Sequence, residues 1–473
     1  MEAILAVDFG STFTKGILFD WSGEEVISVA QTPSTVNTDV TIGLQRVLAR
    51  LGAMAGMSFD RVPAYACSSA AGGLRVAVVG LVPVLSLEAA QRAALGAGAK
   101  IVGAYGYKLT RAKVAELEQT RPDIVLLCGG TNGGDEENIL YNASVLTGSA
   151  LDAPFIVAGN ETTQEECLAK LRGACKSAFP AANLLPEVGR VDVDEVHRII
   201  RELFIARITH AKGIDRVRDH LNLQSDIVPT PSAVLAAARL LADGTTLAKG
   251  IGDIVLVDVG GATTDVYSVA SGTPTRPGVI TRGLPELRLK RTVEGDLGMR
   301  INAPTIVQRC GTSQVLTFAK QVGCGDAIEE NDVSVYAAQV STETGHVPTT
   351  GAQRALDLAL GRCAVALAVR RHVGSLREVY TPTGAVLVQE GKDLADVAAL
   401  IGVGGVFANG GEGSEFILEG ALSEDSDPFA LLPRNPSFYL DQSYVLYGVG
   451  LMSEFAPEAA LAIAGRSLSP LER

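Results

Sequence analysis

The chain has 473 residues, 47% of them hydrophobic and 20% charged, and carries a formal net charge of −13. That length holds two or three domains with ample core, and the composition belongs to a globular protein rather than a disordered one. The acidic balance, with no Lys/Arg cluster, argues against a nucleic-acid partner, and without 18 uninterrupted apolar residues no membrane span is expected.

The chain opens on an apolar run ending in Asp8, followed by Gly10-Ser11-Thr12, Lys15 and a second apolar run to Asp20. The apolar run at Ile4–Val7 is too short for a signal peptide and has no basic region before it, so a cytoplasmic protein is expected. The pattern returns at Ile254, with Asp258, Gly260-Gly261-Ala262, Thr263, Thr264 and Asp265 leading back into apolar residues. Four consecutive apolar residues predict a strand buried on both faces, and the glycine-rich loop predicts a tight turn. Each stretch therefore reads as strand, turn, strand. A Walker-type phosphate loop needs strand, loop, helix and the GxxxxGK[ST] spacing, which is absent. Successive amides of Gly10, Ser11 and Thr12, and of Gly260, Gly261 and Ala262, can instead form an anion-binding concavity, with glycine allowing close backbone approach. An aspartate at the strand end suits Mg²⁺ held through water. Burying such a group costs several kcal/mol unless it is paired or metal-linked, and the arrangement occurs twice.

Between the two stretches, a third strand is predicted at Val26–Gln31 and a helix at Ile42–Leu51. From Gly72 to Arg207 short apolar runs at Leu74–Val82, Lys100–Ala104, Ile124–Cys128 and Phe155–Ala158 alternate with helical stretches. That alternation predicts βαβ units and a doubly wound parallel sheet. The loop Gly129–Gly134 is either an anion cradle at a strand end or a turn needing positive φ. Asp192 and Glu195 have capping-box spacing ahead of a helix, Pro229-Thr230-Pro231-Ser232 breaks the chain, and Ala233–Ala242 predicts an Ala-rich helix. The charged stretch Thr281–Arg300 is either a solvated face or brings Lys290, Arg291 and Glu294 toward a ligand. Ala352–Val373 predicts a long helix. The seven cysteines (67, 128, 167, 175, 310, 324, 363) contain no CxxC pair, and the five histidines form no metal-ligand pattern.

The two hairpins resemble the phosphate-1 and phosphate-2 motifs of the actin, sugar-kinase and heat-shock chaperone ATPase superfamily, and Ile401–Gly411 resembles its adenosine motif. Within that superfamily the chain resembles the glutamate mutase accessory proteins called MutL, nearly end to end. This includes Asp123–Gly134 and Lys290–Arg300. The resemblance implies an α/β, two-lobed actin-like ATPase with ribonuclease H-like lobes. The first lobe would comprise 1–71 and 208–250, the doubly wound insertion 72–207, and the second lobe 251–473.

It further implies ATP bound with Mg²⁺ between the lobes, with Asp8 and Asp258 holding the metal's hydration shell. Gly10, Ser11, Thr12, Gly260, Gly261 and Thr263 would meet the phosphates. Lys15 is either a further phosphate contact or an outward-pointing side chain. Thr263, Thr264 and Asp265 would orient water or phosphate, and Gly404, Gly405 and Asn409 would lie on the adenosine side. Related activators of radical dehydratases hold a bridging cluster on two cysteines per chain, which Cys310 and Cys324 are poorly placed to match. The implied function is a weak Mg-dependent ATPase that reactivates or chaperones an adenosylcobalamin-dependent mutase, its partners being ATP/ADP and the mutase subunits. The alternatives are a small-molecule kinase of the sugar-kinase type, needing an aspartate base beside the γ-phosphate, and a filament-forming actin-like protein.

Overall fold

The computed structural model describes residues 2–471 except 11, 37, 60, 70–73, 209–212, 214–215, 325–327, 383, 409–412 and 425–426. The chain divides into two compact units, residues 1–234 with 283–285, and residues 235–282 with 286–473.

The first unit starts with an antiparallel meander of β1 (Ala3–Phe9), β2 (Phe13–Asp20) and β3 (Glu25–Pro33). Helix α1 (Val40–Ala55) is capped by Asp39, whose side chain accepts the Thr41 amide, and it stops at left-handed Gly56. It lies close on β2, since a Cβ on Gly16 would stand 2.5 Å from a Val47 methyl. Strand β4 (Pro63–Ser68) then runs parallel to β1.

A second sheet follows from β5 (Arg75–Gly80), α2 (Glu88–Gly96), β6 (Lys100–Gly106), α3 (Arg111–Gln119), β7 (Ile124–Leu127), α4 (Glu137–Thr147), β8 (Phe155–Val157), α5 (Glu161–Gly173) and β9 (Ala178–Pro180). Its strands are all parallel, in the order β6-β5-β7-β8-β9. The doubly wound sheet expected from the alternating runs is therefore present. Period-two alternation splits its strands between two cores. Val76, Val78, Ile124 and Leu126 join a cluster with Leu5 and Val7 of the first sheet and Leu44 of α1, while Ala77, Val79, Val125 and Leu127 pack with Leu117 and Leu146.

The chain returns through α6 (Asp194–Ile208) and α7 (Val217–His220) to β10 (Asn222–Leu223) and β11 (Val228–Pro229), both parallel to β4. The capping-box reading at α6 meets a different use of Glu195, whose carboxylate accepts the Ala182 amide at 2.5 Å. Helix α8 (Thr230–Asp243) begins directly after β11 and starts three residues earlier than the Ala-rich run predicted.

The second unit repeats the first sheet's plan. Strands β12 (Ile254–Val259) and β13 (Thr264–Val269) form the hairpin, β14 (Ile280–Arg282) lies aside, and β15 (Leu289–Glu294) pairs antiparallel to β13. Helices α9 (Ala303–Cys310), α10 (Thr312–Ala319), α11 (Glu330–Thr342) and α12 (Gly351–His372) precede the antiparallel pair β16 (Ser375–Thr381) and β17 (Gly384–Glu390). Then come β18 (Ala399–Val403), α13 (Gly405–Ala408), α14 (Ser414–Leu418), β19 (Ser437–Leu440), α15 (Leu446–Met452), α16 (Pro457–Ser467) and β20 (Ser469–Leu471). The main sheet runs β15-β13-β12-β18-β19-β20, against β10-β4-β1-β2-β3 in the first unit. In both, a central strand starts an antiparallel meander on one side and has parallel strands on the other, with β20 added antiparallel at the edge of the second sheet. That is a ribonuclease H-like lobe, built twice. Among the described residues no helix is long and apolar enough to cross a membrane.

Two features of the second unit were not legible. The Sγ atoms of Cys310 on α9 and Cys363 on α12 lie 2.8 Å apart; the side chain of Cys324 lies outside the described residues. Lys392 is fully buried, its Nζ donating to the carbonyls of Leu287 (2.9 Å) and Arg288 (2.7 Å) beneath left-handed Gly272. Burial pulls its ammonium down to about 7, against the opposing pull of Glu286. A base lowered in the folded state penalises folding fully below about 7, and the penalty fades as pH rises toward the free-lysine value. The wild-type chain should therefore gain stability relative to Lys392→Met between pH 7 and 9.5, by on the order of a few kcal/mol. Thermal midpoints of both proteins across that range check this, and parallel curves would contradict it.

Candidate functional site

The two hairpin turns share one hydrogen-bonded frame. Phe9 pairs with Thr14 and Val259 with Thr264, so each turn holds four residues. The Gly10 amide donates to the Phe13 carbonyl at 3.0 Å, and the Gly260 amide to the Thr263 carbonyl at 2.9 Å. Those two amides close the turns, so the expectation that they face an anion is not met. Glycine is still required at Gly10, where a Cβ would stand 2.5 Å from the Phe13 oxygen.

The remaining amides are aimed by what holds the carbonyls. In a planar trans peptide the C=O of one residue and the N–H of the next point in opposite directions. In the second turn the Gly260 carbonyl accepts the Met299 amide (3.0 Å), and Gly261 accepts the amides of Arg300 (2.9 Å) and Ile301 (3.0 Å). The Ala262 carbonyl accepts Asn302 Nδ2 at 2.8 Å. With three successive carbonyls drawn to one side, the amides of Gly261, Ala262 and Thr263 turn to the other. That is the concavity an anion needs. In the first turn Ser34 does the same work, its Oγ donating to the Gly10 carbonyl (2.7 Å) and its amide to Thr12 (2.8 Å). The latter bond turns the Phe13 amide outward; Ser11 lies outside the described residues.

The segment behind the second turn is tightly set. A Cβ on Gly298 would fall 2.2 Å from the carbonyl carbon of Ala262, so only glycine fits. Arg300 forms two bonds to Asp357 on α12 (Nη1–Oδ1 2.9 Å, Nη2–Oδ2 3.0 Å), and the Tyr336 hydroxyl donates to the same carboxylate at 3.0 Å. Sequence reasoning flagged Lys290–Arg300 without roles and missed Asp357, Tyr336 and Asn302 altogether.

The two aspartates differ in their surroundings. Asp8 is 4% exposed and lies opposite Lys15 on β2. Its Oδ1 accepts the hydroxyl of Thr230 at 2.6 Å and, weakly, the thiol of Cys67 at 3.6 Å. Burial pushes its carboxyl above the usual range, with the Lys15 charge and these two donors pulling the other way. Asp258 lies opposite Asp265, a pairing of like charges that costs free energy unless neutralised. Arg291, from the neighbouring β15, supplies the neutralisation. Its Nε and Nη2 reach Asp265 Oδ1 at 3.0 and 2.6 Å, and its guanidinium lies 5.8 Å from the Tyr267 ring centre. Asp265 Oδ2 accepts the Thr263 hydroxyl at 3.2 Å. Both oxygens of Asp265 are thus engaged, one by Arg291 and the other by Thr263.

Other expected residues fall as follows. Thr264 points into the core, its hydroxyl on the Leu297 carbonyl at 2.7 Å, and is completely buried. Lys290 donates to the His372 carbonyl and Glu294 pairs with Arg371, so that charged stretch is bound within the unit. Gly404, at φ +110, sits against the second hairpin, since its Cβ would stand 2.4 Å from the Val259 oxygen and 2.9 Å from Asp258 Oδ1. Gly405 opens α13, and Asn409 lies outside the described residues. The Gly129–Gly134 loop has positive φ at Gly129, Gly130 and Gly133 and is stapled by buried Asn160, which accepts the Gly133 amide at 3.0 Å. Those φ values are what the turn reading asks of this loop.

Two ribonuclease H-like lobes, each presenting a strand-end aspartate and a glycine turn, define the actin-like class that includes ATPases and sugar kinases. The chain belongs to the MutL protein family, whose model matches residues 4–468. Protein MutL of Clostridium tetanomorphum is 38% identical over 469 residues, covering 99% of each chain. Similar solved structures include nucleotide-free acetone carboxylase (12% identity, TM-score 0.40, 96% of this chain and 70% of that one). Component A of Acidaminococcus fermentans (R)-2-hydroxyglutaryl-CoA dehydratase shows 10% identity and a TM-score of 0.30 over 98% and 97% of the two chains. Glycerol kinase of Plasmodium falciparum with ADP shows 11% and 0.36 over 99% and 94%. These likenesses are distant; the strand order carries the fold assignment.

Replacing Asp357 by Ala strands the Arg300 guanidinium, a change that costs about 3–5 kcal/mol for a buried pair. The expected result is a lower unfolding midpoint together with weakened anion binding at the Gly261–Thr263 amides. Calorimetry and nucleotide titration check both, and unchanged binding would separate the Arg300 buttress from the turn.

Proposed function

We propose that this chain binds Mg-ATP through its two hairpins, hydrolyses it slowly, and uses the cycle to reactivate or chaperone an adenosylcobalamin-dependent mutase of the glutamate mutase type. The observation that carries the nucleotide reading is the repeated turn frame, with outward amides at Gly261–Thr263 and a strand-end aspartate in each unit. The mutase follows from the MutL resemblance.

The donor set fits magnesium. Among the described residues no group of three or more His, Cys, Asp or Glu could hold a metal ion by itself. One or two carboxylates with water and phosphate oxygens is the mode this cation favours. Asp8 and Asp258 would hold it, and it would supply charge neutralisation for a transferring phosphoryl group. The outward amides would hold phosphate oxygens, Asp265 would fix Thr263 at the same turn, and Gly404 would seat the second aspartate. A cycle between ATP and ADP states does work on a partner only if the partner binds the two states with different affinity. The doubly wound sheet of 75–180 is the proposed contact with the mutase.

ATP turnover by the purified chain should rise on adding a cobalamin-inactivated mutase and stay level with sugars or polyols. Capture of mutase subunits should differ between ADP and ATP. Phosphorylation of a sugar or polyol instead would place the chain with the kinases.

A further inference from the structure

We propose that Thr230 is a positioning residue for the magnesium-bearing carboxylate of the first hairpin. The inference rests on the nucleotide reading above and assigns a role to the Pro229-Thr230-Pro231-Ser232 break.

Three parallel strands bring this segment to Asp8. On β1, Asp8 lies in register with Cys67 of β4, and Cys67 in turn with Val228 of β11. Two residues further on, Thr230 opens α8 and donates its hydroxyl to Asp8 Oδ1 at 2.6 Å. The Cys67 thiol reaches the same oxygen at 3.6 Å. Both donors thus select Oδ1, which leaves Oδ2 directed to the turn, 3.5 Å from where a Gly10 Cβ would be. The carboxylate's rotation is fixed with one oxygen held behind and the other presented.

The backbone that carries the hydroxyl is itself clamped. Proline on either side of Thr230 fixes φ at both neighbours. Ser232 Oγ donates to the Ala97 carbonyl at 3.2 Å. A Cβ on Gly98, at φ +89, would stand 2.8 Å from both Pro229 Cβ and Ser232 Oγ, so the segment is seated against a position only glycine fills. So many constraints on four residues, ending in one short bond to a buried carboxylate, serve orientation more than generic packing.

The test compares wild type, Thr230→Val and Thr230→Ser by titration with a fluorescent ADP analogue, once in EDTA and once across a magnesium series, alongside thermal melts. Val keeps the shape and removes the hydroxyl. It should lose about tenfold in the magnesium-dependent gain in affinity, the scale of one hydrogen bond to a charged group, while its affinity in EDTA stays at the wild-type value. Ser should recover most of the gain. If Val does not fold, Thr230→Ala carries the same expectation. A Val variant equal to wild type in magnesium, or weakened equally with and without it, would overturn the proposal. A wild-type chain that binds nucleotide with no magnesium-dependent gain overturns it as well. A wild-type chain that binds no nucleotide overturns the reading beneath it.

Discussion

The structure turns on one small hydrogen-bonded frame, the four-residue hairpin turn closed from its first glycine amide to its last carbonyl. Because that frame uses the first amide inside the turn, the amides proposed to meet a phosphate can come only from the residues that follow. What aims them is the capture of their neighbouring carbonyls from behind, by Ser34 in one unit and by the 299–302 segment in the other. Planarity of the peptide does the rest. Each turn is thus shaped from the back.

The same logic explains why the second turn has the heavier support. It has no lysine opposite its aspartate, and the residue in that place is a second acid. The like-charge pair is tolerated because Arg291, buried at 6% exposure, lies on Asp265. Arg300, one chain segment further on, both holds the Gly261 carbonyl by its amide and ties the turn to α12 through Asp357. Charge balance and loop orientation therefore come from the same stretch, 291–302. Buried polar groups of this kind are stable only when every partner is present.

Much of this was legible in the sequence, and the limits have physical causes. The hairpins could be read because apolar runs and glycine-rich turns are local signals, and the parallel sheet because its strands and helices alternate. The inward turn of Thr264 was not readable, since adjacent strand residues face opposite ways and parity is set by the register with β12. Nor was the engagement of Asp265, because Arg291 reaches it across a strand pairing 26 residues away in sequence. Asp357 and Tyr336 lie in helices whose apolar pattern is ordinary, and nothing local marks either as a ligand for Arg300. Thr230 was visible only as a break in the chain. Its hydroxyl gains meaning from a carboxylate 222 residues earlier.

The central proposal is that nucleotide binding with magnesium needs both strand-end aspartates. Calorimetric titration with MgADP tests it most directly, on the wild-type chain and on Asp8→Ala and Asp258→Ala singly. The account predicts one nucleotide per wild-type chain and loss of magnesium-dependent binding in each variant, with both variants folded. Two nucleotides per chain, or one variant that keeps full binding while the other loses it, would contradict it.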